Sequence, residues 1–381
     1  MNARAHEFRL SCFACETRHG ETELQTVCRA CGLPLRVDYT LASGDMPVTA
    51  LAGRVPSLWR YAEVLPLALK EAVTLVEGFT PLVGVTDRIL LKDESRNPTG
   101  SFKSRGMAVA VSMARKLGAR GLVAPSAGNA AGALAAYGAA AGLRVVVAMP
   151  EDTPRAFVAE CHHYGAEVHL VKGTIADAGK FLRERSAAGG LAGAFDVSTL
   201  KEPYRIEGKK TMAYELYEQL GGTLPDVIVY PTGGGTGLVG MWKALGEMER
   251  LGWLLAGARR PRFVSVQAAG CAPVVKGFAE GADKTVPWPD AETAAYGLRV
   301  PSPIGGFLCL RALRETAGTA VAVAEAEIGA AAQALSRKTG VDVCPEGGAA
   351  WAAAQRLLAQ GWIKPHETVV VFNTGTGLKY R

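Results

Sequence analysis

Valine-rich runs alternate with helix-period segments from about residue 85 to the end of the chain, and this alternation constrains the fold most. The runs that read as strands are 88–94, 121–126, 144–150, 167–173, 194–199, 226–232, 262–268 and 368–374. The segments between them that read as helices are 129–142, 153–164, a stretch ending near 188, 205–220 and a stretch starting at 236. Strands that are each followed by a helix predict βαβ units and parallel sheets covered on both faces. Because so many strands exceed one core, we expect two α/β domains.

Charge and hydropathy exclude several classes of protein. Lys and Arg total 42 and Asp and Glu 36, so the net charge is +6, and no basic run reaches five residues. A nucleic-acid partner is therefore unsupported, whereas a small anionic ligand fits. The uncharged segment 121–143 is dominated by Ala and Gly, too weakly apolar for a membrane span. With no secretory signal at the N-terminus, we expect a cytoplasmic protein that does not bind membranes.

Two C-x-x-C pairs lie close together near the N-terminus: Cys12 with Cys15, and Cys28 with Cys31. Two turns that each offer a pair of thiolates supply the four tetrahedral ligands that structural zinc requires. Four thiolates leave no open position on the metal, so we expect a structural and not a catalytic zinc ion. A redox pair is the alternative. His19 lies between the pairs in the sequence and is interpreted as a surface residue.

A lysine follows a turn in the segment 90–106, LLKDESRNPTGSFKSRG. A strand ends near Asp93, a turn occupies 97–100, and Lys103 opens a helix. The positive end of a helix dipole favours the neutral amine, the form that attacks a carbonyl group. Spacing alone does not separate such a lysine from an ordinary solvated one.

The run P-T-G-S-F-K-x-R-G around Lys103 resembles the cofactor-lysine motif of the pyridoxal-phosphate enzymes of the tryptophan-synthase-β type, fold type II. In that family the lysine binds the cofactor covalently, and the resemblance implies this catalytic role for Lys103. The family usually shows Asp after the lysine, where this chain has Ser104. That position is not the reactive one, so the departure is minor.

Three further loops, each at the end of a predicted strand, agree with this resemblance. The loop 125–129, PSAGN, resembles the family's S-x-G-N element, which implies that Asn129 contacts the cofactor ring. The same resemblance implies that the substrate carboxylate is bound by Ser126, Ala127, Gly128 and Asn129. A plain helix-capping turn is the alternative for this loop taken alone.

A glycine loop at 232–237, TGGGTG, lets backbone N–H groups converge on a phosphate. It resembles the family's phosphate cup, which implies cofactor contacts from Gly233, Gly234, Gly235, Thr236 and Gly237. A dinucleotide site is the rival interpretation, but its acidic residue about twenty positions on is not cleanly met.

The last loop, NTGTGLK at 373–379, resembles the threonine synthase segment in which a threonine hydroxyl meets the pyridine nitrogen, and this implies that role for Thr374. A neutral hydroxyl partner makes the ring a weaker electron sink, which favours elimination and replacement over transamination.

The run EPYRIEGKKT at 202–211 resembles the N-P-H-R-x-E-G-x-K-T stretch of threonine synthases, where the arginine binds the substrate phosphate. The resemblance implies that role for Arg205, since a planar guanidinium pairs bidentately with phosphate. Ser198 and Thr199 lie just upstream and offer hydroxyl donors to the substrate. A helix cap or a surface ion pair is the alternative for Arg205.

The resemblance to threonine synthases runs from about residue 55 to the end and implies conversion of O-phospho-L-homoserine and water to L-threonine and phosphate. We expect a zinc-ribbon-like segment at 1–40, a large α/β cofactor domain at 41–104 and 200–381, and a small α/β domain at 105–199. The cofactor, pyridoxal 5'-phosphate, is expected between the two parallel-sheet domains. The expected partner is a small anionic amino-acid substrate, and we expect a homodimer.

One departure leaves the reaction open. Threonine synthases often carry asparagines in the phosphate cup, in a G-N-x-G-N pattern, whereas this cup is built of glycine and threonine, as in threonine and serine dehydratases. The alternatives are therefore a dehydratase or an O-phosphoserine-dependent synthase such as cysteate synthase. A catalytically silent protein on the same fold is a third alternative, against which the intact Lys103 argues.

Overall fold

The computed structural model describes residues 7–255 and 257–381. The strands are β1 (Phe8–Cys12), β2 (Arg18–His19), β3 (Leu35–Tyr39), β4 (Leu82–Gly84), β5 (Ile89–Asp93), β6 (Gly121–Pro125), β7 (Arg144–Pro150), β8 (Glu167–Val171), β9 (Ala194–Asp196), β10 (Val227–Pro231), β11 (Arg262–Ala268), β12 (Thr319–Val323) and β13 (Val369–Asn373). The helices are α1 (Lys103–Lys116), α2 (Asn129–Ala141), α3 (Arg155–His163), α4 (Ile175–Ala187), α5 (Arg205–Gln219), α6 (Thr236–Arg250), α7 (Pro273–Ala279), α8 (Gly306–Glu315), α9 (Glu325–Thr339) and α10 (Pro345–Ala359). Short 3-10 turns connect several of them.

A six-stranded sheet forms the larger layer, in the order β12-β11-β10-β13-β5-β4. Every neighbouring pair is parallel except β4 with β5, which is antiparallel. The expectation of parallel pairing is thus wrong at this edge. Only four residues separate β4 from β5, too few for the crossover that a parallel pair requires.

Successive side chains of the central strands cover opposite faces of the six-stranded sheet, as strand geometry dictates. Ile228 and Tyr230 pack in the cluster that includes residues of α5, α6 and α8. Val227 and Val229 pack in a second cluster with residues of α9 and α10. The sheet is therefore buried on both faces, which explains the near-continuous apolar strands.

A second, four-stranded sheet is parallel throughout, in the order β8-β7-β6-β9. Its last strand ends earlier than predicted, at Asp196 and not at residue 199, because the Asp196 carboxylate accepts hydrogen bonds from the N–H and the hydroxyl of Ser198. Helices α1 and α2 share a core cluster with one face of this sheet, and α4 packs on the other. All four strands lie within 121–196, inside the segment predicted as the small domain. The domain boundaries themselves stay a prediction.

The N-terminal segment is a three-stranded antiparallel sheet in the order β2-β1-β3. Tyr39, at the end of β3, donates a hydrogen bond of 2.8 Å to a carboxylate oxygen of Glu207 on α5, where both side chains are buried. This contact joins the N-terminal sheet to the helix that begins at Arg205. Among the described residues, none of the helices is both long enough and apolar enough to cross a lipid bilayer.

Candidate active site

Four loops meet where strands β5, β6, β10 and β13 end at their carboxyl edges, the place where open α/β sheets bind ligands. The Phe102 N–H donates a 3.1 Å hydrogen bond to the carbonyl oxygen of Thr374, and Ser101 forms a bridge with Gly375. A side chain built on Gly375 would come within 3.3 Å of Nδ2 of Asn129. The lysine loop, the 125–129 loop and the C-terminal loop are therefore in direct contact.

Lys103 is the first residue of α1 and is half-buried. Its Nζ lies 4.2 Å from the centre of the Phe102 ring. Burial, followed by repulsion from the Arg205 guanidinium, lowers the pKa of the amine to about 8, although Glu346 and Cys344 act in the opposite direction. A larger share of the amine is thus neutral near pH 7 than in an ordinary lysine, which suits attack on a carbonyl group.

The glycine loop precedes α6, whose first residue is Thr236, and no side chain caps this helix. Gly235 has φ +83, and a Cβ there would lie 2.3 Å from Sγ of Cys309. A Cβ on Gly237 would lie 2.0 Å from the hydroxyl of Tyr230. Glycine is required at both positions, and the N–H groups at the helix start remain accessible to an anion.

The loop before α2 also presents an uncapped helix start. Gly128 is the N-cap residue of α2 and makes no side-chain capping bond, and Ser126, Ala127 and Gly128 are all partly exposed. The N–H of Ser126 donates to the carbonyl of Ala148, which fixes the loop on β7. The arrangement suits a carboxylate at the helix N-terminus.

Thr374 is buried directly after β13. Its hydroxyl has a weak partner, Sγ of Cys344 at 3.8 Å. The preceding Asn373 accepts from the N–H of Cys344 at 3.1 Å and donates to Asp93 at 3.0 Å, so the backbone of this loop is held firmly. The hydroxyl of Thr374 therefore keeps its capacity to bond a ligand nitrogen.

Arg205 opens α5 and is 2% exposed. Its Nη1 donates to the carbonyl of Val197 at 2.8 Å, while Nε and Nη2 have no partner in the described part of the chain. Glu202 replaces the asparagine of the motif, and its carboxylate accepts from the N–H groups of Tyr204 and Arg205 at 2.7 and 3.1 Å. Glu202 thus caps the helix, and Arg205 retains two buried donors for an anion.

The two hydroxyl residues upstream of Arg205 have different surroundings. The hydroxyl of Ser198 is bonded to Asp196. A Cβ on Gly234 would lie 2.6 Å from Cγ2 of Thr199, so Thr199 packs directly on the glycine loop. Of the two, Thr199 is the one that the structure brings to the glycine loop.

Sequence reasoning missed three residues around Asn129. Nζ of Lys379 donates to Oδ1 of Asn129 at 3.1 Å, and the hydroxyl of Tyr380 lies 3.5 Å from its Nδ2. Tyr380 also donates to Oε1 of Glu346 at 2.9 Å, which accepts from the N–H of Gly297 as well. The only available signal for Glu346 was its place after Pro345 at a helix start, since the contacts themselves join distant parts of the chain.

The four N-terminal cysteines come together at the tips of the three-stranded sheet. Their Sγ atoms all lie within 4.8 Å of one another, with Cys15 3.4 Å from Cys31 and 3.5 Å from Cys28. Tetrahedral zinc with Zn–S bonds of about 2.3 Å places sulfurs about 3.8 Å apart, so the donor set fits the metal. His19, expected at the surface, is half-buried and places Nε2 3.4 Å from Sγ of Cys28.

A family model described as "Pyridoxal-phosphate dependent enzyme" matches residues 73–375. A threonine synthase of Methanosarcina acetivorans is 35% identical, over 98% of this chain and 92% of that protein. A threonine synthase of Halalkalibacterium halodurans is also 35% identical, over 85% of this chain and 90% of that protein.

Two solved structures are similar as well. A bacterial threonine deaminase, from T.th., has a TM-score of 0.64 and 26% identity, covering 78% of this chain and 92% of that chain. A maize serine racemase has a TM-score of 0.65 and 22% identity, covering 78% of this chain and 88% of that chain, and supports the fold alone. From these matches and the four converging loops, the chain belongs to the threonine synthase family of pyridoxal-phosphate-dependent enzymes.

Proposed function

We propose that this protein is a threonine synthase, a lyase that converts O-phospho-L-homoserine and water to L-threonine and phosphate. The observation that carries the substrate class is Arg205, a buried guanidinium with two unpartnered nitrogens that is close enough to Lys103 to lower its pKa. A guanidinium in that condition requires an anion, and the glycine loop already provides a separate site for the cofactor phosphate.

The residues present suit pyridoxal phosphate. We assign its covalent attachment to Lys103, its phosphate to Thr236 and the glycines from 233 to 237, and its ring to Asn129 and Thr374. When bound, the cofactor supplies an electron sink that makes the C–H bonds of the attached amino acid acidic. The hydroxyl of Thr374, weakly engaged in this structure, is the group that tunes the sink.

Lys103 is the residue that moves protons in this proposal. Its amine, with a pKa of about 8, removes and returns protons at Cα and Cβ of the substrate. In the net reaction the Cγ–O bond breaks and phosphate leaves with the bonding electrons, while Cγ gains a proton. Cβ gives up a proton and bonds to the oxygen of water.

Binding of the substrate divides between the two ends of the molecule. The N–H groups of the 126–129 loop receive the carboxylate at the start of α2, and Arg205, with hydroxyls from Ser198 and Thr199, receives the phosphate. Since the Ser198 hydroxyl bonds Asp196 in this structure, Thr199 is the better placed of the two. This division fixes Cα near the lysine and Cγ near the arginine.

A structural zinc ion at Cys12, Cys15, Cys28 and Cys31 completes the proposal. Four thiolate donors within reach of one metal support it, and the N-terminal sheet has little core of its own. The homodimer and the cytoplasmic location stay predictions of the sequence.

A dehydratase acting on free threonine or serine is the second candidate. It is favoured by the glycine-rich loop without asparagines and by the similarity to a threonine deaminase. An O-phosphoserine-dependent enzyme would share the arginine and differ only in substrate length. Free hydroxyamino acids carry no phosphate, and the two unpartnered donors of Arg205 would then remain buried without an anion.

The test is incubation of the holoenzyme with O-phosphohomoserine, O-phosphoserine and threonine separately, following release of phosphate, threonine and 2-oxo acid. We expect phosphate and threonine from phosphohomoserine. Arg205→Ala should raise KM for phosphohomoserine at least about tenfold, since a charge-assisted hydrogen bond contributes ~1.5–3 kcal/mol. Arg155→Ala, at an exposed arginine that opens α3, is the matched control and should leave KM unchanged. Turnover of unphosphorylated amino acids alone would favour the dehydratase.

A further inference from the structure

Lys209 is a lysine with no exposed surface and no acidic partner within the described residues. The next residue, Lys210, is equally buried but pairs with Glu207 and Glu247 at 2.6 and 2.9 Å. The amine of Lys209 makes one hydrogen bond, of 2.8 Å, to the neutral hydroxyl of Thr236. An ammonium has three N–H donors, so two of its donors are unsatisfied.

The position of this amine is specific. Thr236 is the first residue of α6 and part of the glycine loop, so the amine lies at the positive end of a helix. Nζ of Lys209 is 5.2 Å from the centre of the Phe102 ring, whose other close amine is Lys103 at 4.2 Å. Arg205 lies one turn earlier on α5, on the same face of the helix.

Positive groups therefore surround Lys209. Arg205 and Lys103 both disfavour its charged form, and Glu202, which favours it, is already engaged in capping α5. Burial and this repulsion hold the pKa of the Lys209 amine well below its ordinary value. A buried ammonium without a counter-ion is strongly unfavourable, so an anion beside it would satisfy both the charge and the free donors.

We infer that Lys209 is the counter-ion of a phosphate monoester seated at the glycine loop 233–237. The inference rests on the proposed function, because that function brings two phosphates into the site, one on the cofactor and one on the substrate. The contact with Thr236 places Lys209 at the loop, and its spacing from Arg205 places it beside the second anion site. In this chain a lysine thus supplies the polar group that asparagines supply in the G-N-x-G-N cup.

The test uses the holoenzyme with Lys209→Met and Lys209→Gln, two neutral side chains of similar length. The first readout is the rate of cofactor release, followed as loss of the absorbance of lysine-bound pyridoxal phosphate after dilution. The second is the dissociation constant of inorganic phosphate for the holoenzyme, measured by calorimetry. Neither readout requires turnover, so the inference and the proposed reaction can fail separately. Lys201→Met, at a half-exposed lysine paired only with Asp196, is the matched control.

We expect both Lys209 variants to change at least one readout about tenfold or more, and the control to change neither. Faster cofactor release with unchanged phosphate binding assigns Lys209 to the cofactor phosphate. Weaker phosphate binding with unchanged release assigns it to the substrate phosphate. If neither readout changes in folded variants, the inference is wrong.

A crystal structure of the wild-type holoenzyme grown with inorganic phosphate gives a second test that does not depend on the variants folding. A phosphate oxygen within about 3.5 Å of Nζ of Lys209 is expected. Nζ bonded only to Thr236, with both phosphates elsewhere, would overturn the inference.

Discussion

At the scale of single residues, the reactivity of the site depends on charges that come from distant parts of the chain. The depressed pKa of Lys103 is caused first by burial and then by Arg205, and Glu346 and Cys344 oppose it. The sequence predicts Lys103 because its motif is local. It does not predict Glu346 or Lys209, because their meaning depends on which side chains the fold places beside them.

The rate at which cofactor-free protein captures pyridoxal phosphate should follow the titration of Lys103. Because the pKa is about 8, the neutral fraction rises about fivefold between pH 7 and pH 8 and levels off above about pH 9. The measurement is the rate of appearance of the lysine-bound cofactor band. Glu346→Gln removes a carboxylate that favours the ammonium, so the midpoint should fall. Lys103→Ala should show no band and no turnover, and a rate that keeps rising tenfold per unit to about pH 10 would contradict the account.

At the scale of elements, the N-terminal sheet is coupled to the helix that carries Arg205 and Lys209. Tyr39 on β3 donates to Glu207, which also binds Lys210 on the same helix. The metal site therefore lies in an element that supports α5 from outside the site and contributes no group to the chemistry.

Replacement of both Cys12 and Cys28 by Ser should abolish zinc binding and lower the melting temperature by several degrees, because the metal supplies folding free energy to this segment. We expect kcat to change by less than about threefold, since the ribbon holds α5 only from outside the site. Metal analysis, thermal unfolding and steady-state kinetics check the three parts. Cys161→Ser, at a buried cysteine outside the ribbon, is the control and should keep its zinc. A folded N-terminus in metal-free wild-type protein would count against the zinc site.

The elements that the sequence predicts well are those with a continuous signal. The valine-rich strands β7 and β11 and helix α5 match their predicted bounds to within a residue. The sequence does not predict strand β12, because alanine alternates with valine at a sheet edge and the run is less apolar than its neighbours. Strand β4 has three residues and leaves no period to detect.

At the scale of the whole molecule, the site lies where loops from both parallel sheets meet, and two ion pairs span the same region. Nζ of Lys379 lies 2.7 Å from the carboxylate of Glu160 on α3, and Arg299 pairs with Asp152 at 3.3 Å. The sequence predicts which loops form the site, because each follows a strand. It does not predict these pairs, since they join residues more than a hundred positions apart.

Binding of a substrate analogue should draw the two sheet-containing parts together. The reason is that the proposed chemistry needs water at one step and its exclusion at the others. A non-cleavable phosphonate analogue of phosphohomoserine should reduce the radius of gyration of the holoenzyme in small-angle X-ray scattering. Lys379→Met, which removes one spanning pair, should weaken binding of the analogue. Scattering curves that are identical with and without the analogue would refute closure.

The central claim, elimination of phosphate followed by addition of water at a different carbon, is tested most directly with isotopically labelled water. Holoenzyme is incubated with O-phosphohomoserine in H₂¹⁸O, and both products are analysed by mass spectrometry. The account predicts one ¹⁸O atom in the hydroxyl of threonine and none in the phosphate, because the Cγ–O bond breaks and water bonds to Cβ. Label in the phosphate together with homoserine, or release of a 2-oxo acid without threonine, would contradict it.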